Sequence, residues 1–223
     1  MVIEGITIWQ FGRKRHGKLA GKETNSVANR QQYDILKHGV AVWNQWRKEH
    51  PDILPDLSRI SLIKANLNRA DFSRTDLSRA SLSRIDLSES NLSEANLSGT
   101  ILYRANLNQT NLSKANLRLA FLVRSELIRA NLSGANLGGA NLSKVDLYRA
   151  DLMFADLNGT DLSEANLSGA YLNGALLYRA NLGYADLSEA DLSGTLLDEA
   201  NLRGAIYAEE QLARAKSRNN IIR

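Results

Sequence analysis

A leucine recurs at every fifth position from Leu57 to Leu202, and this period constrains the fold more than any other feature of the chain. The one exception is Phe72, which is also apolar, and steps of five across the range give 30 repeats without an insertion or deletion. The residue two places before each centre is small or β-branched, usually Ala, and only Pro55 departs. The residue before the centre is mostly Asn or Asp, and the residue after it is most often Ser.

A period of five fits neither a regular helix nor a regular strand. On an α-helix, five residues advance the side-chain direction by about 140°, so the leucines would spread around the axis. On a strand, an odd spacing sends successive leucines to opposite faces. A continuous apolar row forms only if the chain turns a corner every five residues. Four such corners close a square coil, and coils of this kind stack at roughly the inter-strand spacing of ~4.8 Å.

The repeats themselves resemble a known family. Residues 65–69 read ANLNR and residues 165–169 read ANLSG, which is similar to the A(D/N)LXX motif of pentapeptide-repeat proteins. The resemblance covers residues 56–207 and implies a mainly β fold, a right-handed quadrilateral parallel β-helix. It also implies that a cap covers the open end of such a stack, since a solenoid end exposes core and unpaired backbone.

Residues 25–55 are expected to form that N-terminal cap. Val27 to Glu49 reads as one helix, because apolar residues recur at steps of three and four. These residues are Tyr33, Leu36, Val40, Trp43 and Trp46. We expect the helix to pack on the first coil and to shield Leu57 and Leu62. A helix that packs elsewhere, or against another chain, is the alternative.

The limits of this helix follow from residues that favour caps and breaks. Asn25 or Ser26 is expected to cap its start, and His50-Pro51 is expected to stop it. Residues 1–24 contain glycines and basic residues and are expected to be loosely ordered. At the other end, residues 208–223 are expected to form a short helix, over Glu209 to Lys216, and then a tail from Ser217.

The inventory of reactive side chains argues against an enzyme. There is no cysteine, and the three histidines, His16, His38 and His50, all precede the repeats. No Ser-His or Cys-His arrangement is therefore available within the solenoid. No phosphate-binding loop, dinucleotide fingerprint or metal-ligand pattern is present, so we predict no catalytic residue, no metal and no cofactor.

Composition favours a protein outside the membrane. The formal net charge is +4, which by itself demands no nucleic-acid partner. No stretch approaches the ~18 apolar residues of a membrane helix. At the start of the chain a short apolar run precedes the basic cluster, which is the wrong order for a secretion signal. A cytoplasmic location is the expectation, and the family resemblance suggests a bacterial source.

Function is expected to lie in outward positions where the motif calls for a polar residue and the chain has an apolar one. Residues four repeats apart are expected to stack, so two groups of such residues form. A contiguous exposed apolar group can mark a binding site, whereas drift in a tolerant solenoid is the alternative. The first group comprises Ile101, Tyr103, Leu119, Phe121 and Val123. The second comprises Met153, Phe154 and Tyr171, with Leu176, Leu196 and Tyr178 at an adjacent corner.

A second feature of the surface is a column of cations at one corner. It comprises Lys64, Arg84, Arg104, Arg124 and Lys144, each four repeats from the next. Such a ladder is suited to an acidic partner or a phosphate chain. The alternative is a set of solvated side chains with acids nearby, because Asp86, Glu126 and Asp146 each follow a ladder residue by two positions.

These features favour a non-catalytic scaffold that binds another protein, as a monomer or a homodimer. One alternative is a DNA-mimic inhibitor of a type II topoisomerase, a role known in this family. Residues 56–130 hold 11 basic and 7 acidic side chains, whereas residues 131–205 hold 4 basic and 10 acidic ones, so only the second half suits that role. Another alternative is binding of nucleic acid or an anionic surface through the ladder and the N-terminal basic residues. These are Arg13, Lys14, Arg15, Lys18 and Lys22.

Overall fold

The computed structural model describes residues 28–223. Two helices open this range, α1 (Arg30–Lys37) and α2 (Val40–Glu49), and a third, α3 (Glu209–Ala213), lies near its end. Between them the chain turns a corner every five residues and forms a stack of coils. The basic segment 1–24 and the proposed caps at positions 25 and 26 lie outside the described residues.

Adjacent coils pair in parallel with an offset of four repeats, beginning with Asp56 and Asp76. The backbone N–H of Leu67 donates to the carbonyl oxygen of Asp86 at 2.8 Å, and the N–H of Asp86 donates to the carbonyl oxygen of Ala65 at 2.9 Å. Each side of the coil pairs through one bridging residue, because the chain turns again before a longer strand can form. A period of five and a pairing offset of four repeats give the four-sided coil that the sequence predicted.

Every corner is a tight turn with a positive φ at the residue two places after the centre. In one example, the N–H of Ala70 donates to the carbonyl oxygen of Leu67 at 3.2 Å, and Arg69 between them has a φ of 60°. A positive φ at the second central position is what a type II turn requires, and it favours glycine. Glycine nevertheless occupies only eight of these 30 corners, and side chains at the others project from the edges of the solenoid.

The interior is filled by the central residues and by the small residues that precede them. Nearly all of these side chains are less than 5% exposed. Where a Thr or Ser replaces the inner Ala, its hydroxyl can bond to the coil before it. The Thr100 hydroxyl donates to the Leu77 carbonyl oxygen at 2.9 Å, and the Ser90 hydroxyl donates to that of Leu67 at 3.0 Å. The core therefore accommodates these two hydroxyls with their hydrogen bonds satisfied.

The single N-terminal helix expected from the sequence is two helices. Gly39 has a φ of 103°, a conformation outside the helical region, and it separates α1 from α2. The Asn29 side chain caps α1 by accepting hydrogen bonds from the N–H groups of Gln31 and Gln32. His50 ends α2, next to Pro51. The predicted apolar stripe still faces inward, with Leu36 and Trp43 buried.

These two helices contact the first coil. The Trp43 indole is fully buried, and its ring centre lies 5.5 Å from that of Phe72. Its Nε1 donates to the carbonyl oxygen of Asp71 at 2.7 Å. Leu57 is fully buried, as expected, whereas Leu62 stays only half-buried because it lies on another side of the coil.

Arg47 joins α2 to two other parts of the chain. Its guanidinium donates to the carbonyl oxygens of Ile53 and Ser73, each at 2.9 Å, and its Nε lies 3.8 Å from a carboxylate oxygen of Asp71. Burial lowers the pKa of Arg47, and the Asp71 carboxylate opposes that effect. The charge remains, because arginine is not deprotonated in proteins. Arg47 therefore holds α2 against the segment that enters the first coil.

The C-terminal residues form more structure than the sequence indicated. Helix α3 takes the place of the side after Ile206, and its Leu212 is fully buried against the last complete coil. The expected tail was wrong. Ser217 pairs with Leu196 and Ile222 pairs with Asn201, so this segment adds further sides to the stack. The pairing offset is one position longer here than in the repeats, because α3 replaces one side of the coil and adds a residue to it.

Candidate partner-binding surface

The structure brings the five residues of the first apolar group together on one side of the solenoid. Ile101 and Phe121 pair across adjacent coils, and the N–H of Leu102 donates to the carbonyl oxygen of Phe121 at 2.8 Å. Tyr103 and Val123 stack beside them in the same two coils, and Leu119 lies at the corner before Phe121. Ile101, Leu119 and Phe121 are 44%, 66% and 42% exposed. We call these five residues the apolar patch.

At most other positions the bridging residue is Asn or Asp, and the reason is structural. The Asn96 side chain shows the pattern: its Oδ1 accepts from the N–H of Ser98 at 3.2 Å, and its Nδ2 donates to Asp76 in the previous coil at 3.1 Å. The first bond closes a local Asx turn, and the second links adjacent coils. Asn116 donates to Asn96 in the same way, which extends the ladder. These side chains thus hold each coil and its neighbour together.

The apolar patch lacks those hydrogen bonds in two successive coils, and the Asn and Asp residues of its column begin at Asn141. Ile101 and Phe121 have no side-chain acceptor, and within residues 28–223 nothing accepts a hydrogen bond from the N–H groups of Tyr103 and Val123. An intramolecular hydrogen bond contributes about 0.5–1.5 kcal/mol. The chain forgoes this stabilisation twice and exposes apolar side chains instead.

The cationic ladder is present at the adjoining corner, and its five side chains are exposed. Tyr103 and Val123 directly precede Arg104 and Arg124, so patch and ladder share two coils. The Arg104 guanidinium lies over the Tyr103 ring, 5.3 Å from its centre. Lys144 forms an ion pair of 3.1 Å with Glu164. In the described part of the chain, no carboxylate lies within ion-pair distance of the other four ladder residues.

The three acids expected beside the ladder bind polar groups on the next side instead. Asp86 accepts hydrogen bonds from Ser88 and from Asn106 Nδ2, and Asp146 accepts one from Asn166 Nδ2 at 2.9 Å. Glu126 likewise accepts from an asparagine amide at 3.0 Å. These hydrogen bonds with serine and asparagine side chains therefore hold the three carboxylates away from the cationic corner.

The second apolar group is arranged differently. The Phe154 ring lies over Gly174, where an added Cβ would come within 2.7 Å of the ring. Tyr171 is 52% exposed and pairs with Asp151 and Asp191. Met153 is half-buried. These three residues therefore do not pair with apolar residues of the adjacent coils as Ile101 and Phe121 do.

The side next to the second group, which was expected to be a corner, is only partly apolar. Leu176 and Leu196 pair with each other across adjacent coils and are half-buried. The Tyr178 hydroxyl donates to Glu199 at 3.1 Å, and the Arg179 guanidinium lies 4.9 Å from the centre of the Tyr178 ring. Polar contacts within the chain therefore occupy part of this surface.

Sequence reasoning missed a shallow depression beside Leu119. Gly138 and Gly139 leave this part of the surface without side chains, and the hollow has a volume of ≈ 280 Å³. Arg118 and Asp156 also line it. The adjacent glycines are the only signal of it in the sequence. The depression extends the exposed surface around the corner from the apolar patch.

Within residues 28–223, no group of three or more His, Asp or Glu side chains is placed to hold a metal ion. His38 and His50 lie at the C-terminal ends of the two N-terminal helices, and His16 falls outside the described range. No helix in that range is long and apolar enough to cross a membrane.

Comparison with known proteins identified one family. The family model described as Pentapeptide repeats matches in eight copies. The matched segments are residues 56–93, 80–118, 90–127, 125–163, 155–194 and 175–206. Together they span the whole solenoid. No curated protein matched the chain.

Solved structures of similar proteins were found. HetL, a pentapeptide repeat protein involved in heterocyst differentiation regulation from the cyanobacterium Nostoc sp. strain PCC 7120, is 34% identical, with 75% of this chain and 84% of HetL covered and a TM-score of 0.42. A trypsin-treated form of QnrB1, a plasmid-mediated fluoroquinolone resistance protein, is 18% identical, with 74% and 85% covered and a TM-score of 0.47. A pentapeptide repeat protein from the Arabidopsis thaliana thylakoid lumen is 25% identical, with 49% and 75% covered and a TM-score of 0.25.

Proposed function

Because the chain belongs to the pentapeptide-repeat family, whose members are right-handed β-helices and typically non-catalytic, we propose that it is a protein-binding scaffold that contacts its partner through the apolar patch. The observation that carries this proposal is the pairing of Ile101 with Phe121 in place of the Asx ladder. An apolar side chain at this position forgoes the hydrogen bonds that an asparagine makes there, and Ile101 and Phe121 stay exposed. A partner that buries them supplies the missing stabilisation.

The fold suits such a role because it presents the patch on rigid backbone. Each patch residue lies between hydrogen bonds to the coils on either side, so its position changes little on binding. A rigid surface loses less conformational entropy on association than a flexible loop does. Tyr103 and Phe121 are the expected anchors, since aromatic side chains dominate the binding energy of many interfaces.

The end of the solenoid is a less suitable contact area. Helix α3 covers the last coil, where the Gln211 side chain donates to the carbonyl oxygens of Leu187 and Ala190, each at 2.8 Å. A partner at that end would have to displace these bonds and the buried Leu212. We therefore propose that the sides of the solenoid, rather than its C-terminal end, make the contacts with a partner.

A DNA-mimic role receives less support from the surface. A mimic of duplex DNA needs a continuous acidic surface, and the first half of the solenoid carries the cationic ladder. Asp and Glu in the second half also serve structural ladders, as the Asn181 amide shows by donating to Asp161 at 3.0 Å. The scaffold proposal uses the apolar residues, which the DNA-mimic proposal leaves without a role.

The test is a variant that restores the repeat motif at the patch. The substitutions Ile101→Asn, Tyr103→Ser, Phe121→Asn and Val123→Ser convert both coils to the common pattern and keep the fold. A photo-crosslinking residue placed at position 128, one side away, reports partners captured from native lysate. We expect defined crosslinked proteins with the wild-type chain and their loss with the restored variant.

The matched control applies the same chemistry to the second group, with Met153→Ser and Tyr171→Asn. This control is expected to crosslink the same proteins as the wild type, because it leaves the apolar patch intact. If the restored variant captures the same set as the wild type, the apolar patch is not the contact surface and the proposal is wrong.

A further inference from the structure

We infer that the partner segment on the apolar patch is an acidic amphipathic helix, whose carboxylates meet Arg84, Arg104 and Arg124. The inference rests on the proposed function, because it names the occupant of the same surface. Within the described residues these three cations have no carboxylate partner, whereas Lys144 in the same column is paired with Glu164. The uncompensated charge therefore extends from Lys64 past the apolar patch, and it ends at Arg124, where the patch ends.

Charge and apolar surface alternate within the same coils. Arg104 and Arg124 directly follow Tyr103 and Val123, and Arg84 lies one coil before them. Consider a partner segment that runs along the solenoid axis over this side. Its apolar residues contact the apolar columns, and charged residues along its edge contact the cationic corner. A helix about 10 Å in diameter covers both columns and reaches that corner.

Spacing favours a helix over an extended segment. From Arg84 to Arg124 the ladder advances two coils, or about 9.6 Å at ~4.8 Å per coil. Helix residues i and i+7 lie about 10.5 Å apart along the axis, with i+3 and i+4 between them on the same face. In a strand, two steps along one face span about 13 Å, so its carboxylates would leave the register of the arginines.

A nucleic acid is a poorer match to the same surface. In a duplex the bases are stacked inside, so its phosphates satisfy the arginines but it presents no apolar group to cover Ile101 and Phe121. Carboxylates instead bind arginine through two parallel hydrogen bonds, and the Arg104 side chain, whose guanidinium lies over the Tyr103 ring, is exposed to solvent. Charges at the rim of such an interface set specificity and association rate more than affinity.

The experiment is a selection of displayed random peptides, long enough for four helical turns, against three forms of the full chain. These are the wild type, the reversal Arg84→Glu/Arg104→Glu/Arg124→Glu, and a matched reversal at other corners. The matched reversal is Lys114→Glu/Arg129→Glu/Arg149→Glu, which changes the net charge equally on other sides. Glutamate already occupies this corner position at Glu89 and Glu94, so both reversals are expected to fold, as circular dichroism will show.

We expect wild-type selections to enrich peptides with Asp or Glu and apolar residues at steps of three and four. Their affinity is expected to fall at least 10-fold with the ladder reversal and less than 2-fold with the matched reversal. It is also expected to weaken as salt rises. The variant with the motif restored at the patch is expected to lose these peptides as well.

Three other results would overturn the inference, the proposed function, or both. In the first, the selected peptides are apolar without enrichment of acidic residues, and their binding is lost on the restored variant but unaffected by the ladder reversal. This result refutes the acidic helix and leaves the proposed function standing. Peptides that bind the restored variant as tightly as the wild type, or no enrichment at all, count against both. Duplex DNA that binds through the ladder and ignores restoration of the patch shows that the arginines read phosphates, and the inference is then wrong.

Discussion

The Phe154 ring lies directly over Gly174, one coil further along, and a Cβ on that glycine would come within 2.7 Å of two ring carbons. Both residues occupy the corner position with positive φ, at 58° and 67°. The same relation recurs elsewhere, with the Tyr184 ring over Gly204. Corner side chains therefore extend toward the next coil, where they can meet a small residue or an opposite charge. A corner arginine meets an acid in this way where an ion pair of 3.0 Å joins it to the glutamate one coil on.

The first prediction concerns Gly174→Ala. The new Cβ collides with the Phe154 ring and also places an L residue at positive φ, so we expect a loss in the free energy of unfolding of about 2 kcal/mol. Gly159→Ala is the matched control, because its φ is 63° and a Cβ there meets nothing within 4 Å. That control is expected to lose only about 1 kcal/mol, from backbone strain. Urea denaturation of both variants measures the difference.

A double-mutant cycle tests whether the Phe154 ring causes the additional loss of stability in Gly174→Ala relative to Gly159→Ala. Adding Phe154→Ala to Gly174→Ala removes the collision, so the coupling free energy is expected to be favourable and about 1 kcal/mol. If the two glycine variants are equally destabilised, the contact between Phe154 and Gly174 has no energetic consequence and the relation is one of shape alone.

The second prediction is that Phe121→Asn stabilises the chain. The new Oδ1 is placed to accept from the N–H of Val123, and Asn141 in the next coil is placed to donate to it. The variant gains these two hydrogen bonds and loses the exposed apolar contact with Ile101. We expect the net effect to raise the free energy of unfolding by about 1 kcal/mol. The reciprocal change Asn141→Ile removes the bond of 3.0 Å from Ser143 and is expected to lower it. A lower unfolding temperature for Phe121→Asn contradicts this account.

The sequence predicts the solenoid well because one period governs every level of it. The chain turns a corner every five residues, and four corners complete a coil, so residues 20 positions apart pair. This pairing offset alone places Ile101 beside Phe121 in adjacent coils. The position of the apolar patch therefore follows from counting along the chain. Its role as a contact surface stays a prediction, because counting places side chains but does not identify a partner.

Features outside the period were harder to predict. The break at Gly39 depends on one backbone angle, which the apolar stripe through α1 and α2 does not show. The C-terminal pairing of Ser217 was missed because α3 interrupts the count and shifts it by one residue. The acids near the ladder were expected beside the cations, but asparagine donors such as Asn106 compete for them along the axis, and sequence spacing does not rank those two partners.

The third prediction concerns Trp43, which joins the helices to the first coil. Trp43→Ala empties a fully buried site and removes the hydrogen bond to Asp71, so we expect a loss of about 3–5 kcal/mol in the stability of this end. Because coils contact only their neighbours, the effect is expected to stay local. Hydrogen exchange is expected to speed up around Phe72 and to remain unchanged near Leu172.

Trp46 provides the control for that measurement, since it is only half-buried on the same helix. Trp46→Ala is expected to have a smaller effect on exchange around Phe72. Equal exchange in both variants and the wild type would mean that the first coil is stable without the helices, contrary to the interpretation of α1 and α2 as a cap.

The last prediction is that the C-terminal segment separates from the solenoid in acid. Hydrogen bonds from the Ser217 hydroxyl and from the Asn219 backbone and side chain lower the pKa of Asp198. A carboxyl whose pKa is lower in the folded state stabilises the fold above its unfolded pKa of about 3.9, and that stabilisation is lost as the pH falls through the folded value. The protection factors of the amides of residues 217–222, which correct for the slower intrinsic exchange in acid, are therefore expected to fall below about pH 4, ahead of those of the central coils.

Two substitutions test whether the Asp198 carboxylate holds this segment. Asp198→Asn is expected to weaken its attachment at neutral pH, because the amide accepts hydrogen bonds less strongly than the carboxylate does. Asp161→Asn, at a position where the repeat accepts either residue, is expected to leave the segment attached. A segment that stays protected in Asp198→Asn at every pH would show that backbone bonds hold it without the carboxylate. Those bonds run from the N–H groups of Leu197 and Leu202 to the carbonyl oxygens of Ser217 and Ile222.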